Sequence, residues 1–358
     1  MIVKRIELNN FRNYSKLAVA FKDGINFIIG DNANGKTNLV EAIYLLSYAK
    51  SFRTNSTNDF IKLGEKEARI NSVVASKTFK RTISLIYTGE YKKVLMNEKP
   101  IRKLSELNNS CNVLYFIPRD VTLFKDPPKN RKRYLDSTLG KMNFTYLKNV
   151  IEYEKILKER NDSLKAYTIN YTLLDILTAR LISLGKEIFI ERKKFFDELN
   201  KIINDVYQNL AMLKTKVEIK YTPLCDDENE YEEKLKLLYE KTKNDDLIKK
   251  TTQINIHKED FALYLNDKDI ARFGSQGQNR LSVLALKIAP YFLIHEDDKK
   301  PILILDDCLS ELDEKHENNL INYLSNFNQV FITNTKKTKF YNGNYYRCQN
   351  GNVLVEEN

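Results

Sequence analysis

The segment Gly30-Asp31-Asn32-Ala33-Asn34-Gly35-Lys36-Thr37 constrains this chain more than any other. It holds two glycines with four residues between them, followed by Lys-Thr, which is the spacing of a phosphate-binding P-loop. Before it, Ile25-Asn26-Phe27-Ile28-Ile29 is a short apolar run that reads as a buried strand. After it, Asn38-Leu39-Val40-Glu41-Ala42-Ile43-Tyr44-Leu45-Leu46 is apolar at helical spacing. Strand, glycine-rich turn and helix are the context the motif requires. Gly30 and Gly35 let the backbone curl until successive N–H groups face a phosphate chain. A helix beginning near Lys36 adds its unsatisfied N–H groups and the positive end of its dipole. Lys36 then reaches the β- and γ-phosphates of ATP, and the Thr37 hydroxyl ligates Mg2+. The cradle is assigned to Gly30, Asp31, Asn32, Ala33, Asn34, Gly35, Lys36, Thr37 and Asn38.

Two more motifs lie near the other end. Phe273-Gly274-Ser275-Gln276-Gly277-Gln278-Asn279-Arg280 precedes a helix expected over 281–292, with Leu281, Leu284, Ala285, Ile288 and Phe292 as its apolar stripe. Small residues, exposed N–H groups and a serine hydroxyl at a helix start make a second anion-binding cap. Ser275, Gly277 and Gln278 are therefore assigned to nucleotide. About thirty residues on, Pro301-Ile302-Leu303-Ile304-Leu305 is a buried strand ending in Asp306-Asp307. Asp306 is the natural Mg2+ partner of Thr37, and Asp307 is placed to orient or deprotonate the attacking water. Ser310-Glu311-Leu312-Asp313 follows as a D-loop would, then Val330-Phe331-Ile332-Thr333-Asn334-Thr335 as the next core strand. This order and spacing resemble the P-loop, signature and Walker B motifs of ABC-type ATPases. In such heads the two caps cannot meet within one molecule. The P-loop of one copy faces the serine turn of another, so ATP favours a homodimer and hydrolysis reverses it.

The fold expected is α/β: an SMC-like ABC-ATPase head with mixed sheets, interrupted by a mostly helical second lobe. Head segments are expected over 1–117 and 254–358, and the lobe over 118–253. Val3–Leu8, Leu17–Phe21, Ala68–Ala75, Thr78–Tyr87 and Lys92–Ile101 read as strands, with a turn at Met96-Asn97-Glu98-Lys99. Asp126-Pro127-Pro128 opens a basic helix, with prolines where a first turn tolerates them. Leu147, Val150, Ile151, Leu157 and Leu164 mark one amphipathic helix. A second of about 35–40 residues carries Leu174, Leu177, Leu181, Leu184 and Ile188, then Phe195, Leu199, Ile202 and Val206. The two series fall out of register between Ile188 and Phe195, which implies a bend or a stutter. Asp226–Lys250 reads as an exposed, helix-bearing insertion.

The net charge of +10 suits a polyanionic partner. Lys80, Arg81, Lys92 and Lys93 in one cluster, and Arg131, Lys132 and Arg133 in another, are the candidate contacts to such a polyanion, which the family resemblance given next implies is DNA; an ordinary solvated face is the alternative for each. Arg12 is placed with the nucleotide site, and for it and Arg53 the alternative is bracing the head. No apolar run approaches the ~20 residues of a membrane span. The four cysteines lie far apart without metal-ligand spacing, as expected of structural thiols in a reducing cytosol.

These blocks together resemble the RecF family, SMC-related ATPases of bacterial recombinational repair, nearly end to end. The resemblance is carried by Asn10-Phe11-Arg12-Asn13-Tyr14, by Lys36–Tyr44 and Lys50-Ser51-Phe52-Arg53, by Arg131–Asp136, and by the signature and Asp306-Asp307 blocks. Three features depart from the family pattern. Phe116-Ile117-Pro118-Arg119-Asp120 has Arg where the family has an acid, Asn255–Asp260 alters a Gly-Pro-His turn, and no Gln occurs between Lys36 and Gln208. The resemblance implies ATP-dependent dimerisation and slow hydrolysis used as a switch. It also implies binding to single- and double-stranded DNA at gaps, and work with RecR and RecO to load RecA. The protein would then be cytoplasmic and nucleoid-associated. A transporter ATP subunit is the alternative from another class; Asp307 in place of the usual Glu and the long helical insertion fit it poorly. A further SMC-like ATPase of DNA defence is the third reading.

Overall fold

The apolar run before the glycine-rich loop is a central strand, as its composition requires. In the computed structural model, which describes residues 1–107, 109–310, 312–337 and 343–356, this strand is buried at five of six positions. The strands are β1 (Ile2–Phe11), β2 (Tyr14–Ala20), β3 (Gly24–Ile29), β4 (Glu67–Ala75), β5 (Lys80–Thr88), β6 (Lys92–Met96), β7 (Lys99–Pro100), β8 (Val113–Phe116), β9 (Val217–Thr222), β10 (Asp260–Leu265), β11 (Lys268–Asp269), β12 (Ile302–Leu305), β13 (Gln329–Asn334), β14 (Asn344–Gln349) and β15 (Asn352–Glu356). The helices are α1 (Lys36–Tyr48), α2 (Pro128–Met142), α3 (Phe144–Leu164), α4 (Tyr171–Ala211), α5 (Tyr231–Lys249), α6 (Ile270–Phe273), α7 (Gln276–Ile288), α8 (Pro290–Leu293) and α9 (Glu314–Leu324).

Two units divide the chain. The first comprises 1–121, 205–214 and 280–358. Its inner sheet has the order β15-β14-β3-β13-β12-β8 and is parallel except for the β14–β15 pair. An antiparallel sheet, β2-β1-β4-β5-β6-β7, supplies the other layer. Its alternation is the period of a half-buried sheet: Ile70, Val74, Ile83 and Leu85 point to the core, while Arg69 and Lys80 do not. α1 is buried without interruption from Leu39 to Ser47, because it packs into one core with Ile6 and Leu85 of one sheet and Ile304 and Phe331 of the other. A helix buried on all sides is apolar nearly throughout, and its one buried carboxylate, Glu41, is paired with Arg12.

The second unit comprises 122–204 and 215–279. Boundaries were expected at 117/118 and 253/254; the compact units differ from these in placing 205–214 with the first and 254–279, including the signature turn, with the second. α2 starts at Pro128, where a missing N–H costs nothing. α3 and α4 run antiparallel, joined by Asn149–Glu187 and Arg180–Glu152. α4 is one uninterrupted helix of 41 residues, hence ~60 Å long. A bend or a stutter was expected between Ile188 and Phe195; the member missing from the stripe there is Arg192, which is fully buried. Its guanidinium donates to Glu259 at 2.6 Å, to Asp136 at 2.9 Å and to the Tyr146 hydroxyl at 3.0 Å. Ile151, expected on the apolar face of α3, is exposed. The 226–250 segment is not simply exposed, since α5 buries Tyr231, Leu235 and Tyr239 against Phe189 and Ile182 of α4. The helix expected to reach Phe292 ends at Ile288, and Pro290 opens α8.

Candidate nucleotide site

The loop between β3 and α1 needs both of its glycines. Gly35 has φ 95°, and a Cβ there would stand 2.6 Å from the Asn13 amide and 2.7 Å from the Tyr14 hydroxyl; Gly30 has φ 149° and lies against the Cys348 carbonyl. The Tyr14 hydroxyl donates to the Gly35 carbonyl at 3.0 Å. Lys36 Nζ bridges the carbonyls of Gly30 (2.6 Å) and Asp31 (2.9 Å), lying across the loop it is expected to serve. No side chain caps the N-terminus of α1, and its first turn holds no acid. Its N–H groups are therefore available to an anion. Asp31, Asn32 and Ala33 are exposed on the loop, and Asn38 donates to Asn13 at 2.8 Å.

Asp306 follows directly on β12, which pairs in parallel with β13 up to Leu305 and Ile332, so Thr333 of β13 lies beside it. Thr333 Oγ1 donates to Asp306 Oδ1 at 2.7 Å. The Thr37 hydroxyl stands 3.2 and 3.3 Å from the two Asp306 oxygens. Residues 269 positions apart thus present a hydroxyl and a carboxylate side by side. Burial pushes the Asp306 carboxyl above its ordinary range, although the Thr333 and Thr37 hydroxyls oppose this. A buried carboxylate and a hydroxyl standing side by side, both hard oxygen donors, fit a site completed by a divalent cation. Mg2+ needs only one or two carboxylates when a phosphate chain supplies other ligands. Asp307 adopts φ 49°; its N–H donates to Thr333 Oγ1 at 2.9 Å, and its carbonyl accepts from Arg280 at 2.7 Å. Glu311 of the expected D-loop lies outside the described residues; Ser310 donates to the Asp307 carbonyl at 3.3 Å.

A second layer, largely missed by motif spacing, supports α1. Arg12 forms a bidentate pair with Glu41 (2.9 and 2.7 Å), Ser51 donates to the same carboxylate, and Arg53 reaches it at 3.5 Å while donating to Asn38 at 2.7 Å. Arg12, Asn13 and Tyr14 thus grip Glu41, Asn38 and Gly35 in turn. The Asn10–Tyr14 block is a clamp on the loop and on the first turns of α1.

The turn before α7 is in the second unit. Ser275 and Gln278 form a capping box: Gln278 N–H donates to Ser275 Oγ at 3.2 Å, and Ser275 N–H to Gln278 Oε1 at 2.9 Å. Ser275, Gly277 and Gln278 are all exposed.

Residues 2–111 match the RecF/RecN/SMC N-terminal domain. The chain is 37% identical over 346 residues to the DNA replication and repair protein RecF of Agathobacter rectalis, covering 95% of this chain and 94% of that one. It is 35% identical over 345 residues to RecF of Pediococcus pentosaceus, covering 94% and 92%. This chain belongs to the RecF family. A solved structure of the recombination mediator protein RecF-ATP in the RecFOR pathway superposes with a TM-score of 0.89 at 30% identity, over 99% of both chains. An Smc head bound to the winged-helix domain of ScpA shares the fold, with a TM-score of 0.60 at 15% identity. The fold is thus the α/β ABC-ATPase head of RecF and SMC proteins.

Within this RecF-family chain, the candidate DNA contacts divide. Lys80, Lys93 and Arg133 are exposed. Arg131 is not a surface cation: it is buried in a bidentate pair with Asp260 (2.8 and 2.7 Å) and donates to the carbonyls of Leu123, Phe124 and Asp126. Lys132 is paired with Asp136 and Glu154, Arg81 donates to Ser110 at 2.7 Å, and Lys92 donates to the Ala49 carbonyl at the end of α1. Among the described residues no helix is long and apolar enough to cross a membrane, and no three His, Cys, Asp or Glu residues converge as a metal cluster.

Proposed function

We propose that this protein is an ATP-switched DNA-binding ATPase of recombinational repair. Gly30–Asn38 hold the triphosphate, Thr37 and Asp306 hold Mg2+, and Asp307 activates water for slow hydrolysis. ATP joins two copies, each lending Ser275, Gly277 and Gln278 to the other's nucleotide, and hydrolysis releases them. The dimer binds gapped single- and double-stranded DNA and acts with RecO and RecR, in the cytoplasm at the nucleoid, to load RecA. The observation that carries this reading is the meeting of Thr37 with Asp306 beside a glycine loop that Lys36 crosses.

Light scattering with and without ATP-Mg2+, then with gapped DNA, tests it. The mass doubles with ATP-Mg2+, and Asp307→Asn holds the dimer longer while hydrolysing little. DNA affinity falls steeply with salt, as phosphate neutralisation dictates. A monomeric Asp307→Asn protein in saturating ATP-Mg2+ would refute the assignment of that carboxylate.

A further inference from the structure

Of the eleven glycines in this chain, Gly277 alone has neither a left-handed backbone nor a neighbour that a Cβ would meet within 4 Å. It sits in the first turn of α7, where glycine weakens a helix relative to alanine. Nothing in its own chain calls for the missing side chain, so the space is kept for a group that approaches from outside. The N–H groups beside it, those of Gln276 and Gly277, are not taken by the capping box, which engages only the Ser275 and Gln278 N–H groups. The Ser275 hydroxyl accepts from Gln278 and retains its own proton for donation.

What fixes this turn from behind is Asn279. It is 2% exposed, and its side-chain Nδ2 donates to both the Gly274 carbonyl (3.0 Å) and the Ser275 carbonyl (2.9 Å). A Cβ on Gly274 would meet that same Nδ2 at 2.8 Å, so the loop is folded tightly onto the amide. A carbonyl held inward leaves the N–H groups of the following residues directed outward. We propose that Asn279 is a positioning residue of the signature turn: its amide anchors two carbonyls so that Ser275, Gln276 and Gly277 stand ready for the phosphates held by a second copy. This rests on the reading of the turn as half of a nucleotide site shared between two chains. Asn279 touches no nucleotide; it sets the geometry of the groups that do, so its loss removes preorganisation rather than a contact.

The full-length chain is assayed as wild type, Asn279→Ala, Asn279→Asp (same shape, no donor toward the carbonyls) and Ser275→Arg. Sedimentation in saturating ATP-Mg2+ is expected to show the dimer Kd raised at least tenfold in Asn279→Ala and Asn279→Asp. Binding of a fluorescent ATP analogue to the dilute monomer stays within twofold, since the P-loop is untouched. The ATPase rate at saturating protein stays near wild type while the protein concentration for half-maximal rate rises; a merely unfolded fraction would lower the plateau instead. Hydrogen exchange adds a second reading: at a protein concentration that dimerises the wild type, ATP protects the wild-type 276–277 amides, and in Asn279→Asp the same protection needs a correspondingly higher concentration. If Ser275→Arg blocks the dimer while both Asn279 variants dimerise as wild type, the role of Asn279 is overturned and the shared site stands. If Ser275→Arg dimerises normally, the reading of the turn itself falls.

Discussion

Glu41 is the residue on which the clamp around α1 depends, and Glu41→Gln tests whether Arg12 braces the head or serves nucleotide. The carboxylate is fully buried and accepts two bonds from Arg12 together with the Ser51 hydroxyl, while the Arg12 side chain is 15% exposed. Removing one partner of a buried pair costs about 3–5 kcal/mol, because the other charge loses its compensation. Arg12 keeps some water and glutamine keeps one acceptor, so the lower end, ~3 kcal/mol, applies here. That cost falls on α1, whose amides should open with an equilibrium raised roughly a hundredfold, at 1.4 kcal/mol per tenfold. Hydrogen exchange over 39–48, read against the strands of the same unit, measures it. The functional arm is a double-mutant cycle with Arg12→Ala on ATP affinity. A brace gives a double variant no worse than either single one, whereas direct contact with phosphate gives losses that add. Exchange within threefold of wild type in Glu41→Gln, or additive losses in the cycle, would show that Arg12 is not principally a brace.

Three further outcomes are expected. Burial raises the Asp306 carboxyl, so its ionised form costs the nucleotide-free fold stability that is present at low pH and lost as pH rises through the raised value. Asp306→Asn should therefore melt higher than wild type at neutral pH by calorimetry, lose that advantage below about pH 3.9, and gain nothing from ATP-Mg2+. Gly277→Ala should gain up to about 1 kcal/mol of helix stability yet weaken the ATP dimer; with two equivalent sites losing a charge-assisted bond of ~1.5–3 kcal/mol each, the dimer Kd rises by roughly 10²–10⁴. Arg119→Glu should leave the thermal midpoint within what ~0.5 kcal/mol would shift, because residue 119 is exposed, whereas Asp120→Asn removes the carboxylate from Lys287 (2.5 Å), itself 6% exposed, and costs several times more.

Local periodicity made the strands, α1 and α2 legible, because what decides them lies within a few residues: alternation in β4 and β5, prolines at the start of α2, glycines at 30 and 35. Failures came where a polar residue occupies a core position. Arg192 reads as a gap in an apolar series, yet it fills one turn of α4 by satisfying Glu259, Asp136 and Tyr146 at once. Arg131 reads as surface charge, yet Asp260, 129 residues on, takes it inside. No local pattern marks such a pair, since each member is paired only after the chain has folded. For the same reason Thr37 and Asp306 were assigned by motif, but Thr333, Glu41 and Asn13, which bond to them or to their helix, were not.

Helix α7 shows how far this long-range polar layer reaches. Arg280, two residues beyond the capping box, donates to the Asp307 carbonyl, and Lys287, two turns later, donates to Asp120 while lying 4.2 Å from the centre of the Tyr115 ring. Asp120 also accepts from the Ile117 N–H at 2.9 Å, closing the turn that ends β8. Two cations on one helix thus fix the ends of two adjacent strands, β12 and β8, at the edge where Asp306 and Asp307 emerge. The carboxylate that ties β8 to α7 is that of Asp120. Each tie ends on a backbone atom or a carboxylate, so the head requires a donor at 280 and 287 and an acceptor at 120.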